Sequence, residues 1–262
     1  MNIFILKLIL APLILGGASL AGRRWGPTIS GWLIGLPLTS GPVVFFISLN
    51  HDTAFVSSTL NGTLNGGFSL VAFCLAYAWL ATRFNWQVTI TISMAIFFAI
   101  VLLLGDFVFL PLAPLITGVV FAVLLGLQLM PRGAQLESND IRPGPWDIPA
   151  RILIGTSFIL LLTELAAVIG PRLTGLLATI PLYTAILTVF AHRLQGPAGA
   201  AGVLRGLLFG LFGFVGFFLT LSLLIEHNGV TLAFLAAITV TLIIHGISLL
   251  IIQTEQREKE KS

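Results

Sequence analysis

The chain repeats itself at an offset of 144 residues, and the repeat runs without a gap. Residues 26–46, GPTISGWLIGLPLTSGPVVFF, line up with residues 170–190, GPRLTGLLATIPLYTAILTVF. Gly26, Pro27, Gly31, Leu33, Pro37, Leu38 and Phe46 fall on Gly170, Pro171, Gly175, Leu177, Pro181, Leu182 and Phe190. Ala54 falls on Ala198. Leu60, Gly62, Leu64, Gly66, Phe68, Val71, Phe73 and Leu75 then fall on Leu204, Gly206, Leu208, Gly210, Phe212, Val215, Phe217 and Leu219, which makes 16 identities in 50 pairs. The glycine and proline matches weigh most, because they dictate backbone path and are not produced by shared apolar bias. Whatever this chain folds into must accommodate two copies of one unit, each with a proline inside its second apolar segment.

What kind of unit follows from composition. Of the 262 residues, 57% are hydrophobic and only 9% charged, with a mean hydropathy of +1.05. So little charge cannot cover the surface of a water-soluble domain, and the expected class is an all-α polytopic membrane bundle whose first partner is the lipid bilayer. The chain contains no phosphate-cradling glycine loop, HExxH, GxSxG or CxxC pattern, so no enzyme activity, cofactor or metal is expected. The one cysteine, Cys74, allows no intrachain disulfide. A pI near 9.5 is not read as a nucleic-acid signal, because the basic residues sit in short loops where they set membrane orientation.

Apolar stretches at 3–22, 28–49, 57–80, 86–104, 107–130, 151–169, 172–192, 201–225 and 229–252 are each long enough to cross the ~30 Å hydrocarbon core, giving about nine spans. A polar linker from Pro131 to Pro149 divides the chain. With nine spans, Arg23, Arg24, Arg83, Arg132, Arg142, Arg151, Arg193, Arg205, Arg257, Lys259 and Lys261 share one side, and only Lys7 and Arg172 take the other: 11 of 13 Lys plus Arg against 2. The positive-inside rule then puts the N-terminus outside and the C-terminus in the cytoplasm. Lys7, the apolar run and Ala18-Ser19-Leu20-Ala21 also have the look of a signal peptide. The 144-residue offset pairs this segment with 151–169, which argues that it stays as a span. Residues 253–262 are expected to be a solvated tail.

The expected domains are 1–104, a first four-helix repeat; 105–150, a linking helix and cytoplasmic linker; and 151–262, a second four-helix repeat with its tail. Four spans are an even number, so the single unmatched helix between the copies inverts the second one. The result is a 4+1+4 inverted-topology repeat, the construction of many transporters. One copy, with GPTISGWLIGLPLTS and then AsnGlyThrLeuAsnGlyGly at 61–67, resembles the small four-helix bacterial inner-membrane proteins of the GlpM-like group, which carry a similar Gly-x-Leu-x-x-x-Pro element in their second helix. That resemblance covers about two thirds of each half. It implies architecture and a bacterial inner (plasma) membrane, not a substrate.

Candidate functional residues are the polar and helix-breaking ones inside spans. Pro37 and Pro181 each remove a backbone hydrogen bond and are expected to free the carbonyls of Leu33 and Leu177. Thr39, Ser40 and Pro42 follow the first proline, and Tyr183 and Thr184 the second. Two symmetry-related broken helices at the midplane are the best pointer to a transport site, and a kink capped by its own hydroxyls is the plainer alternative. Glu164 is the only carboxylate well inside a span, expected to be protonated, paired or facing water, with proton carriage as its functional reading. Asn61 and Asn65, four apart, share one face with Ser69, as cavity lining or as interhelical bonds. His245 reads as a proton relay or a packing residue. The reading is a small secondary transporter of an unidentified small molecule or ion, with protons as candidate coupling ion; a non-transporting scaffold or assembly partner competes with it. Either is compatible with a homo-oligomer.

Overall fold

The computed structural model describes residues 3–22, 32–107, 110–131 and 147–261. The first part of the repeated motif (Trp25, Gly26, Pro27 and Gly31), Arg23 and Arg24, and the linker with Arg132 and Arg142 lie outside the described residues, as do the side chains of Asp106, Arg151, Arg257, Lys259 and Lys261. All regular structure among the described residues is helical: α1 (Ile3–Gly22), α2 (Ser40–Ser48), α3 (Thr53–Leu80), α4 (Trp86–Phe107), α5 (Leu112–Leu129), α6 (Asp147–Ile169), α7 (Pro171–Leu177) and α8 (Leu182–Lys261). Five of these stretches are long and apolar enough to cross a membrane, as befits an integral membrane protein.

The 80 residues of α8 are three rods, because Gly196 and Gly229 leave helical geometry at φ 70°, ψ −163° and φ 73°, ψ 167°. The rods, α8a (182–195), α8b (197–228) and α8c (230–261), correspond to the expected seventh, eighth and ninth segments. Their boundaries keep the offset seen in the sequence. α3 begins at Thr53 and α8b 144 residues later; α4 begins at Trp86 and α8c 144 residues later. The chemistry of the two stops differs. In the first half they are side-chain caps: the Asp52 carboxylate accepts from the Phe55 N–H at 2.8 Å, and the Asn85 side chain from the Val88 N–H at 3.1 Å. In the second half the equivalent positions are Gly196 and Gly229, whose backbone conformation is essentially closed to other residues. Pro197 then opens α8b at the one helical position that has no N–H to lose.

α3 and α8b form the interior. In α3, 67% of the most apolar window is buried, against 22% in α4 and in α5. The outer helices turn large apolar side chains outward, including Leu102 and Leu103 on α4, Phe121 on α5 and Leu242 on α8c. That polarity suits lipid, not water. α5, which has no counterpart, seats on both central helices: its Gly126 meets Val71 of α3 and Leu208 of α8b, and its Gly118 meets Phe68. α5 starts five residues later than expected, because Pro111 sits extended at its N-terminal boundary (φ −56°, ψ 154°).

Gly196→Ala and Gly229→Ala are each expected to cost roughly 1–3 kcal/mol by forcing a Cβ into this region. Gly246→Ala on α8c, where a methyl group meets nothing within 4 Å, is expected to be neutral or to gain up to about 1 kcal/mol. Thermal melts of the purified variants in detergent check the contrast.

Candidate functional site

Both prolines break their helices, and the two breaks are bonded alike. Around Pro37 the Gly35 N–H donates to the Trp32 carbonyl (3.1 Å), Leu36 to Leu33 (3.2 Å), Leu38 to Leu36 (2.7 Å) and Gly41 to Pro37 (2.8 Å). Around Pro181 the bonds run from Thr179 to Leu176 (3.2 Å), Ile180 to Leu177 (3.0 Å), Leu182 to Ile180 (2.8 Å) and Ala185 to Pro181 (2.7 Å). Every donor and acceptor in the second set is its counterpart in the first plus 144. The expectation that Leu33 and Leu177 would present free carbonyls is corrected here. Tightening to i→i−3 bonds lets Leu36 and Ile180 occupy them, a usual adjustment at a helix end.

What the breaks do leave open is donors. α2 restarts at Ser40 with no side-chain cap. Among the described residues the amides of Thr39, Ser40 and Thr184 have no acceptor, and the Ser40 and Thr184 hydroxyls have no hydrogen-bond partner. Ser40 is only 4% exposed and Thr184 only 3%, and the two are equivalent under the repeat.

The two breaks face one pocket. Its cavity volume is about 40 Å³. Residues 34–36 and 38–40 line it from one side and 178–184 from the other, with Leu70 of α3 and Leu207, Leu211 and Phe214 of α8b between them. Of the residues singled out in the sequence, Thr39, Ser40, Pro181, Tyr183 and Thr184 thus meet in one place. Pro37 sits in its break without itself lining the space. Among the described residues no charged side chain lines it.

Glycines let the central helices come this close. A methyl group on Gly210 of α8b would lie 2.6 Å from the Gly35 Cα and 2.6 Å from the Trp32 carbonyl oxygen. One on Gly66 of α3 would run into the Thr179 side chain. Gly66 and Gly210 are repeat partners, and so are Gly35 and Thr179, so these two contacts are the same contact with the halves exchanged.

The remaining candidates lie elsewhere. Glu164 accepts from Lys7 at 2.9 Å across α1 and α6, with Lys7 3% and Glu164 63% exposed at the side chain; the Lys7 ammonium also stands 5.9 Å from the centre of the Phe46 ring. The charge expected to need a partner has one, and it is outside the pocket. Asn61 donates to the Leu110 carbonyl at 3.0 Å, where α4 gives way to α5, and Asn65 donates to the Asn61 carbonyl and amide oxygens (3.0 and 2.9 Å). His245 is buried on α8c, its ring 4.9 Å from that of Trp32 and against Gly213. The Trp32 indole donates to the Ser248 hydroxyl one turn further on, at 2.7 Å. Glu164, Asn61 and Trp32 tie separate segments together, whereas Asn65 bonds within α3. Thr179 was missed in the sequence, although the offset carries it onto Gly35. Lys7 was missed as Glu164's partner, although the 144-residue offset pairs the apolar segments that carry them, 3–22 and 151–169. No family model, no curated protein and no solved structure matches the chain.

Gly210→Ala is expected to destabilise by roughly 1–3 kcal/mol through overpacking against Gly35, visible as a lower melting temperature in detergent. The Lys7–Glu164 pair should be asymmetric. Glu164→Gln strands a buried ammonium, whereas Lys7→Met leaves only an exposed acid, so the first variant is expected to melt several degrees lower than the second.

Proposed function

We propose that this protein is a small secondary transporter working by alternating access, with its substrate site in the pocket between the two proline breaks. The observation that carries the reading is that two symmetry-equivalent breaks, bonded alike, line one pocket. Discontinuous helices meeting near the bilayer midplane are how transporters expose backbone to a solute without exposing it to lipid. The proposed frame is a 4+1+4 inverted repeat of about nine spans, built from two GlpM-like units fused through α5, in the bacterial inner membrane. Its support is the exchange contact, Gly66 with Thr179 and Gly210 with Gly35, since a two-fold axis makes residue i touch j and j touch i. With four spans per copy and one between, that axis lies in the membrane plane. The basic residues put the N-terminus outside and the C-terminus in the cytoplasm. Within this reading Glu164, bridged to Lys7, is the one acid placed to couple a proton to movement of α1 against α6.

The test needs no knowledge of the substrate. In a Cys74→Ser background, Ser40→Cys and Thr184→Cys are labelled with a membrane-impermeant maleimide added to right-side-out or to inverted vesicles. Alternating access predicts that each cysteine reacts from both faces. Reaction from one face only, or from neither, rejects transport and leaves the scaffold reading.

A further inference from the structure

We infer that the pocket binds a small monocarboxylate, with the carboxylate held by the restarted ends of α2 and α8a and the alkyl part against the apolar wall. The inference rests on the pocket being the substrate site. Two independent features point to an anion. First, α2 and α8 both begin at the pocket, and the start of a helix presents unpaired N–H groups and the positive end of its dipole. Here those groups are concrete: the amides of Thr39, Ser40 and Thr184 donate to nothing. Second, Ser40 and Thr184 line the same space, each residue is more than nine-tenths buried, and their hydroxyls have no partner among the described residues. A hydroxyl of a buried residue that opens on a pocket without a protein partner is free to bond a ligand or water. Ser40 and Thr184 are equivalent under the repeat and line one pocket, one from each half, which offers a donor to each oxygen of a carboxylate.

Charge and shape narrow the class. Among the described residues no basic side chain lines the pocket. Helix ends offset about one negative charge, and a second would stay uncompensated at a depth where charge is costly. That excludes dicarboxylates and phosphate esters. Leu70, Leu207, Leu211 and Phe214 form a wall without hydrogen-bonding side chains, which suits a short alkyl group. The competing occupant is a cation, because backbone on the carbonyl side of each break, at Ile34 and Ala178, also lines the pocket. Four carbonyls at each break are already taken by backbone donors, and no carboxylate is present to supplement the rest.

The experiment compares four probes of matched size on the purified protein: sodium butyrate, butyramide, n-butylammonium chloride and sodium chloride. Butyrate is expected to raise the melting temperature saturably, with the other three doing so weakly or not at all. Ser40→Ala and Thr184→Val are each expected to weaken butyrate binding about tenfold or more, the range for a hydrogen bond to a charged group. Ser40→Thr and Thr184→Ser keep the hydroxyl and should keep binding, which separates loss of the donor from loss of fold. Equal stabilisation by butyramide or by butylammonium overturns the carboxylate assignment, and equal stabilisation by chloride overturns the role of the alkyl wall. The two-sided cysteine labelling separates this inference from the one beneath it. Butyrate binding with labelling from one face only upholds the ligand and rejects transport. Cysteines labelled from both faces without butyrate binding uphold transport and reject the ligand.

Discussion

A proline inside a membrane helix removes a hydrogen bond where no water can replace it, and much of this structure is a response to that loss. The response is local first: i→i−3 bonds at Leu36 and Ile180 recover the carbonyls that would otherwise be stranded. It cannot be completed locally on the donor side, because a restarted helix begins with N–H groups that have nothing behind them. Those groups must be kept from lipid, so both breaks turn inward, and the most buried helices of the protein, α3 and α8b, close over them. The pocket is the space left when two such breaks share one interior.

Close approach of the central helices is the second consequence. Van der Waals packing holds helices together in lipid, and it strengthens as backbones come nearer. Gly66 and Gly210 permit a separation at which any side chain would collide with the opposite break. The same small residues that allow packing also bring the two donor sets into one pocket. The periphery is built differently. The Lys7–Glu164 bridge, the Trp32–Ser248 bond and the Asn61–Leu110 bond each tie two segments and hold the frame in which the breaks sit.

The repeat explains why some of the site could be read in advance. Thr39, Ser40, Pro181, Tyr183 and Thr184 were found by laying one copy on the other, and they meet in the pocket. Applied once more, the same offset would have found Thr179, which falls on Gly35, and would have marked Ser40 and Thr184 as a matched pair. Glu164, Asn61, Asn65 and His245 were chosen as polar residues inside spans. Polarity within a span, or a shared helix face, says nothing about which neighbour that face is turned toward.

Hydropathy, the proline and glycine positions and the 144-residue offset therefore determined from sequence alone that this is a helical membrane protein, the order of its apolar segments to within several residues, and that two of them carry prolines in equivalent places. These are properties of local backbone chemistry, and residues adjacent in the chain decide them. Only the tertiary structure decided that the two breaks face each other, that Glu164 belongs to Lys7, and that donors and not carbonyls are what the breaks leave unpaired. Each of these depends on the rotation of one helix against another, which packing across the whole interior sets. No single stretch of sequence carries that information.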